Sequence, residues 1–212
     1  MNYGHQVSLV VDTTYINYFN NWYIQMNLMC TASAVVGLIY TMERITEGIW
    51  GFTTAGVTDL YGRRKSTLVL LGLNLIAQTI IIFCPSYSMR MLGFIIYGIG
   101  NTKNSVCYIW LCELMETRHK SSACSVLNTF NSATIAIFGL YVLFISRDWF
   151  YIIFFMYLLG VISWFIILLM IPEAPRWLLI NGRTKDALTS FEHISSLNAV
   201  EFTISPDAVF IE

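Results

Sequence analysis

Three strongly apolar stretches of this chain run for 20 residues or more without a single charged side chain: Ser66–Pro85, Ser121–Ser146 and Trp149–Ile171. A helix needs about 20 consecutive apolar residues to cross a bilayer, and a buried strand would be far shorter. A fourth run, Met91–Cys112, has similar length and holds one charge, Lys103. Charged residues make up 12% of the chain, about half the usual share in soluble domains, and mean hydropathy is +0.62. An ordinary water-soluble globule is therefore excluded. So is a disordered chain, because aromatic residues reach 15%. With a net charge of -1 there is no basic surface for nucleic acid. The reading is an all-α, polytopic transmembrane helix bundle embedded in a lipid bilayer.

Residues 22–60 allow two arrangements. Trp22–Tyr40 is uncharged; Glu43, Arg44 and Glu47 follow, and then the apolar run Gly48–Thr58. Either 22–40 is a separate span followed by a short piece, or one long helix covers about 36–60. No proline interrupts 41–47, and 48–58 is too short to span, so one helix is the reading taken. The chain then divides into an N-terminal segment 1–35, a bundle of five or six helices over 36–172, and a soluble tail 173–212. In the tail, Asn181-Gly182 marks a turn, and Thr184 is placed to cap an amphipathic helix over Lys185–Leu197.

Alternate connections hold eight basic residues: Arg63, Arg64, Lys65, Arg118, Lys120, Arg176, Arg183 and Lys185. The opposite connections hold Arg90 and Arg147. The positive-inside rule puts the eight on the cytosolic side, or on the matrix side of an organelle. The five cysteines, Cys30, Cys84, Cys107, Cys112 and Cys124, show neither disulfide-framework nor zinc spacing and read as core-packing thiols. His5, His119 and His193 are isolated, so no metal site, cofactor or catalytic constellation is expected. No nucleophile elbow or phosphate loop appears, and the chain is not expected to be an enzyme.

Two motifs stand at the inner ends of the spans. One is Asp59-Leu60-Tyr61-Gly62-Arg63-Arg64-Lys65; the other is Pro172-Glu173-Ala174-Pro175-Arg176-Trp177-Leu178-Leu179. Between them lie Glu113 and Arg118. Carboxylates and guanidinium groups at one membrane depth can join in an ion-pair network across helix ends, made of Asp59, Arg63, Arg64, Glu113, Arg118, Glu173 and Arg176. The alternative is that they serve only as interfacial topology signals. Gly62 suits a turn with positive φ, and Pro172 and Pro175 stop the preceding helix.

Together the two motifs resemble the N-terminal half of a major facilitator superfamily transporter, closest to the organic-ion transporters and sugar porters. Arg147-Asp148-Trp149 and Asn181-Gly182-Arg183 strengthen the organic-ion likeness, which covers about residues 38–197. The departures are Leu60 for a basic residue, Ala55 for a glycine, Ala174 for a serine, and three charges in the helix before Asp59. The resemblance implies a further helix upstream and six more downstream.

Two charges fall deep in the bilayer. Lys103 lies about 15 Å above Glu113, and Glu47 about 18 Å above Asp59, at 1.5 Å per residue. A charge at that depth needs a partner or a water-filled cavity. Lys103 with Asn101 and Asn104 either binds an anionic solute, or Lys103 pairs with Glu47 or with a neighbouring subunit. Asn128 and Asn131 extend the same seam or join helices. Two functions follow, of which the first is the reading taken and the second the alternative. One is a structural subunit of a larger membrane complex, descended from a transporter half and covered by partner subunits; the mitochondrial inner membrane is one location this reading admits. The other is an active secondary transporter of small organic solutes, working as a dimer or with a second half.

Overall fold

The computed structural model describes residues 20, 22–26, 28, 31–115 and 118–197. After a short turn of helix, α1 (Trp22–Gln25), a single helix α2 runs from Ser33 to Tyr61. Glu43, Arg44 and Glu47 thus lie within continuous helix, with no turn between residues 40 and 48. Gly62 ends α2 at φ 100° and ψ 158°, a region that essentially only glycine occupies. Helix α3 (Arg63–Phe83) starts immediately after it.

The apolar run Met91–Cys112 is not one helix. It is divided into α4 (Tyr87–Asn101) and α5 (Lys103–Leu114), with Thr102 between them. The cause is local: the Thr102 hydroxyl donates to the Ile99 carbonyl at 2.7 Å, and its backbone N–H reaches the same carbonyl at 3.3 Å. A side chain competing for a backbone acceptor tightens the turn and interrupts the ladder. Thr54 of α2 in turn donates its hydroxyl to that of Thr102 at 3.2 Å, which pins the break against α2.

Helices α6 (Lys120–Phe144) and α7 (Trp149–Met170) follow. Asp148 caps α7 by accepting the Phe150 N–H at 3.1 Å. Helices α3, α6 and α7 are each long and apolar enough to cross a membrane, and they coincide with the three uncharged runs. Helix α7 is apolar on all sides, as a lipid-embedded helix should be.

Packing centres on α3, which lies against α4, α5 and α7, while α2 lies against α4. Two glycines of α4 make these contacts close. A Cβ on Gly98 would stand 2.5 Å from the Glu43 carbonyl oxygen of α2, and one on Gly100 would stand 2.7 Å from the Asn74 backbone nitrogen of α3. Small residues of this kind let membrane helices touch backbone to backbone. Helix α6 is peripheral, with no buried residue. Asn20 bonds to the α6–α7 turn through Arg147 and Trp149.

The tail forms α8 (Pro175–Ile180) and α9 (Thr184–Leu197), with Gly182 at φ 68° in the turn between them. Ala174, Trp177, Leu178 and Ala187 cluster with Trp110 of α5, and Leu114, Ile167 and Ile171 flank them. Ala174 is fully buried, so a residue of minimal size fits where the related motif has serine.

Candidate functional site

Two polar zones stand out from the apolar helices. The first is a seam along α2 and α4. Arg44 donates to Glu43 and to Glu47, both at 2.7 Å, and its guanidinium lies 5.2 Å from the centre of the Tyr40 ring. Asn101 of α4 donates to Glu47 at 2.8 Å, and Asn104 donates to Asn101 at 3.2 Å. Glu43 is 7% exposed although half of its ion pair, Arg44, remains open to the surroundings. Two carboxylates share one guanidinium, so the cluster carries one excess negative charge when all three are ionised.

Glu43, Arg44 and Asn101 line a cavity of about 460 Å³ together with Gln78, Tyr97 and Trp149. A slightly larger cavity, about 510 Å³, lies between α2 and α3 under Trp50, Val57 and Leu70. Its exposed wall is mostly apolar, although Thr53, Thr54, Tyr61, Lys65 and Ser66 are among its lining residues. Ligand sites combine apolar walls with a few convergent polar groups, and the first cavity has that composition.

Lys103 does not pair with Glu47. The Glu47 carboxylate is taken by Arg44 and Asn101, and no ion pair to Lys103 forms among the described residues.

The second zone lies at the inner helix ends. Arg63 donates to Glu113 through Nη2 at 3.1 Å and Nε at 3.3 Å, and its Nη1 bonds Asp59. The Arg63 side chain is 11% exposed and that of Glu113 is 15%, against 68% for Asp59, so the α3–α5 bond is the sheltered one. Arg64 works differently from the expected ion pairing. Its backbone N–H donates to Glu173 at 2.8 Å, while its guanidinium reaches the carbonyls of Leu168 at 2.6 Å and Ile167 at 3.5 Å. Glu173 thus places a carboxylate at the N-terminus of α3, and Arg64 places a cation at the C-terminus of α7; both agree with the helix dipoles. The Trp177 indole N–H donates to the Asp59 carbonyl at 2.7 Å and closes the end of α2, a contact between residues 118 positions apart that no motif spacing signals.

Arg118 and Arg176 are exposed and form no ion pair among the described residues, so the expected seven-residue network contracts to Asp59, Arg63 and Glu113, with Arg64 and Glu173 beside it. Pro175 is buried as the first residue of α8. Gly62 has a steric reason beyond its φ: a Cβ there would stand 2.6 Å from Glu173 Oε2. Gly62→Ala is therefore expected to cost about 1–3 kcal/mol, the price of a non-glycine residue in this region, and to lower the thermal midpoint of the detergent-solubilised protein. An unchanged midpoint would contradict this account of the turn. No group of three or more His, Cys, Asp or Glu suited to a metal ion occurs among the described residues. His5 and Cys30 lie outside them, and the His193 ring contacts the Met170 carbonyl at 2.9 Å.

The described helices match a transporter half, and the family description "Sugar (and other) transporter" matches residues 8–205. The chain belongs to the sugar and other transporter family. It is an integral membrane protein built on the plan of the N-terminal half of a major facilitator transporter. Among curated relatives, the human organic cation/carnitine transporter 2 is 23% identical over 202 residues, covering 91% of this chain and 34% of the relative. The Drosophila melanogaster beta-alanine transporter is 28% identical over 182 residues, covering 83% of this chain and 29% of the relative. The Caenorhabditis elegans organic cation transporter 1 is 24% identical over 205 residues, covering 92% and 34%. The chain therefore spans about a third of the length of these transporter-family relatives.

Proposed function

We propose that this chain supplies one half of a secondary transporter for small organic cations or zwitterions, with the solute's ammonium group held beside Glu43. The supporting observation is a cavity of about 460 Å³ walled by the buried Glu43 and by Arg44, Tyr97, Phe94 and Trp149, with the Arg44 guanidinium shared between Glu43 and Glu47, a carboxylate beside the cavity. Aromatic faces and an excess carboxylate are complementary to an alkylammonium ion. Relatives named for organic cations, carnitine and beta-alanine, all of which carry a positively charged nitrogen, agree with this chemistry. Alternating access needs two halves rocking about a shared site. The second half is then another polypeptide segment or a second copy of this chain.

Glu43→Gln keeps the size of the side chain and removes its charge. A hydrogen bond to a charged group contributes about 1.5–3 kcal/mol, so uptake of a quaternary ammonium probe into reconstituted vesicles should fall about tenfold or more. Asp186→Asn, on the exposed tail pair with Arg183, should leave uptake unchanged. Equal uptake by the Glu43 variant and the parent would sink the assignment of the site.

A second reading makes the chain a structural subunit of a larger membrane complex. The wide apolar exposure of α6 favours it, because protein as well as lipid could cover that helix. It expects fixed-stoichiometry co-purification with unrelated membrane subunits, and no probe uptake above that of empty vesicles.

A further inference from the structure

Cys112 and Cys124 place their sulfur atoms 3.4 Å apart, and both thiols are free and half-buried. Cys112 lies in the last turn of α5 and Cys124 near the start of α6. One turn deeper, the Tyr108 hydroxyl bonds Asn128. The pairs 108/112 and 124/128 each follow the i, i+4 spacing of a single helix face, so the two contacts fix one antiparallel register between α5 and α6. Helix α6 buries none of its residues, so a bond at this point would change how firmly it is held.

We propose that Cys112 and Cys124 form a modification site: a dithiol that glutathione disulfide closes into an intramolecular disulfide joining α5 to α6. One cysteine thiolate attacks a sulfur of glutathione disulfide. The glutathione S–S bond breaks, one glutathione leaves as its thiolate, and a mixed disulfide forms. The second cysteine thiolate attacks the protein sulfur of that mixed disulfide and releases the second glutathione. Two protein thiols lose two electrons and two protons; one glutathione disulfide becomes two glutathione thiols. A disulfide spans about 2.05 Å, so the sulfurs must approach by about 1.4 Å, a movement within reach of side-chain rotation and a slight helix shift. Both cysteines stand at the same helix ends as Glu113 and Lys120, on the side that carries the basic connections. That side meets a reducing pool, which keeps the pair as thiols until the pool is oxidised.

The test uses the full chain in reconstituted vesicles, treated with glutathione disulfide, acid-quenched, alkylated and mapped by peptide mass spectrometry. The expected product is a Cys112–Cys124 cross-linked peptide that dithiothreitol reverses. Cys112→Ser and Cys124→Ser should each carry one glutathione on the remaining sulfur and no cross-link, while Cys107→Ser should close as the parent does. The proposal is overturned by glutathione on both sulfurs without a cross-link, by no oxidation of either sulfur, by pairing to another cysteine or a second chain, or by equal cross-linking in denatured protein. None of these readouts depends on transport, so the site stands or falls separately from the proposed function.

Discussion

A Gly100→Leu chain is expected to lose the docking of α4 on α3 and to leave detergent extracts as aggregate. The added Cβ alone would lie 2.7 Å from the Asn74 nitrogen and 2.8 Å from its Cα. These are backbone atoms inside a helix, so no rotamer change relieves the clash, and the two helices must move apart. Overpacking a well-filled site costs about 1–3 kcal/mol when side chains can adjust, and a backbone contact exceeds that range. Gly48 supplies the control, because a Cβ there meets nothing within 4 Å. Gly48→Leu should retain the parent's monodisperse peak and midpoint in fluorescence-detected size exclusion with a thermal ramp. A Gly100→Leu chain that matches it would disprove the close crossing.

Removal of the Arg63 guanidinium is expected to be the next most damaging change. Arg63→Ala leaves Glu113 sheltered without its cation and costs about 1–3 kcal/mol, the penalty for an unsatisfied polar partner, with the upper part of the range for a charge. The double variant Arg63→Ala/Glu113→Ala removes both charges and should recover part of that loss. Arg63→Lys should fall between parent and alanine, since an ammonium cannot reproduce the two-point contact. Thermal midpoints for the cycle measure this directly. Strict additivity of the two single changes would mean that Arg63 and Glu113 do not interact.

Helices α3, α6 and α7 could be read from the sequence because a bilayer imposes a simple condition, 20 or so strongly apolar residues without charge, and three runs meet it. Gly62 could be read because a glycine between two helices already implies positive φ. What the sequence concealed depends on azimuth and on distant partners. Depth arithmetic brought Lys103 level with Glu47, but rise per residue says nothing about direction around the axis, and Asn101 faces Glu47 instead. The Thr102 break was hidden inside an apolar run, because its cause is a hydroxyl bonded to a carbonyl and to Thr54 on another helix. Cys112 and Cys124 have no motif spacing, and only the antiparallel packing of α5 and α6 makes them neighbours. Arg118 and Arg176 share a membrane depth with Glu113 and Glu173 but point into the surroundings, so depth alone overstated the network.

The hydrogen bond between the Arg64 amide and the Glu173 carboxylate joins groups 109 positions apart in the chain. That separation sets an order of events during synthesis. At about 5–20 residues per second, α3 waits roughly 5–20 s between its own emergence and that of the carboxylate that caps it. Throughout that interval the hairpin of α2 and α3 exists with an open end. Arrival of Glu173 therefore closes this end of α3, and a ribosome halted before residue 173 would leave a nascent chain with α2 and α3 made and this clasp undone.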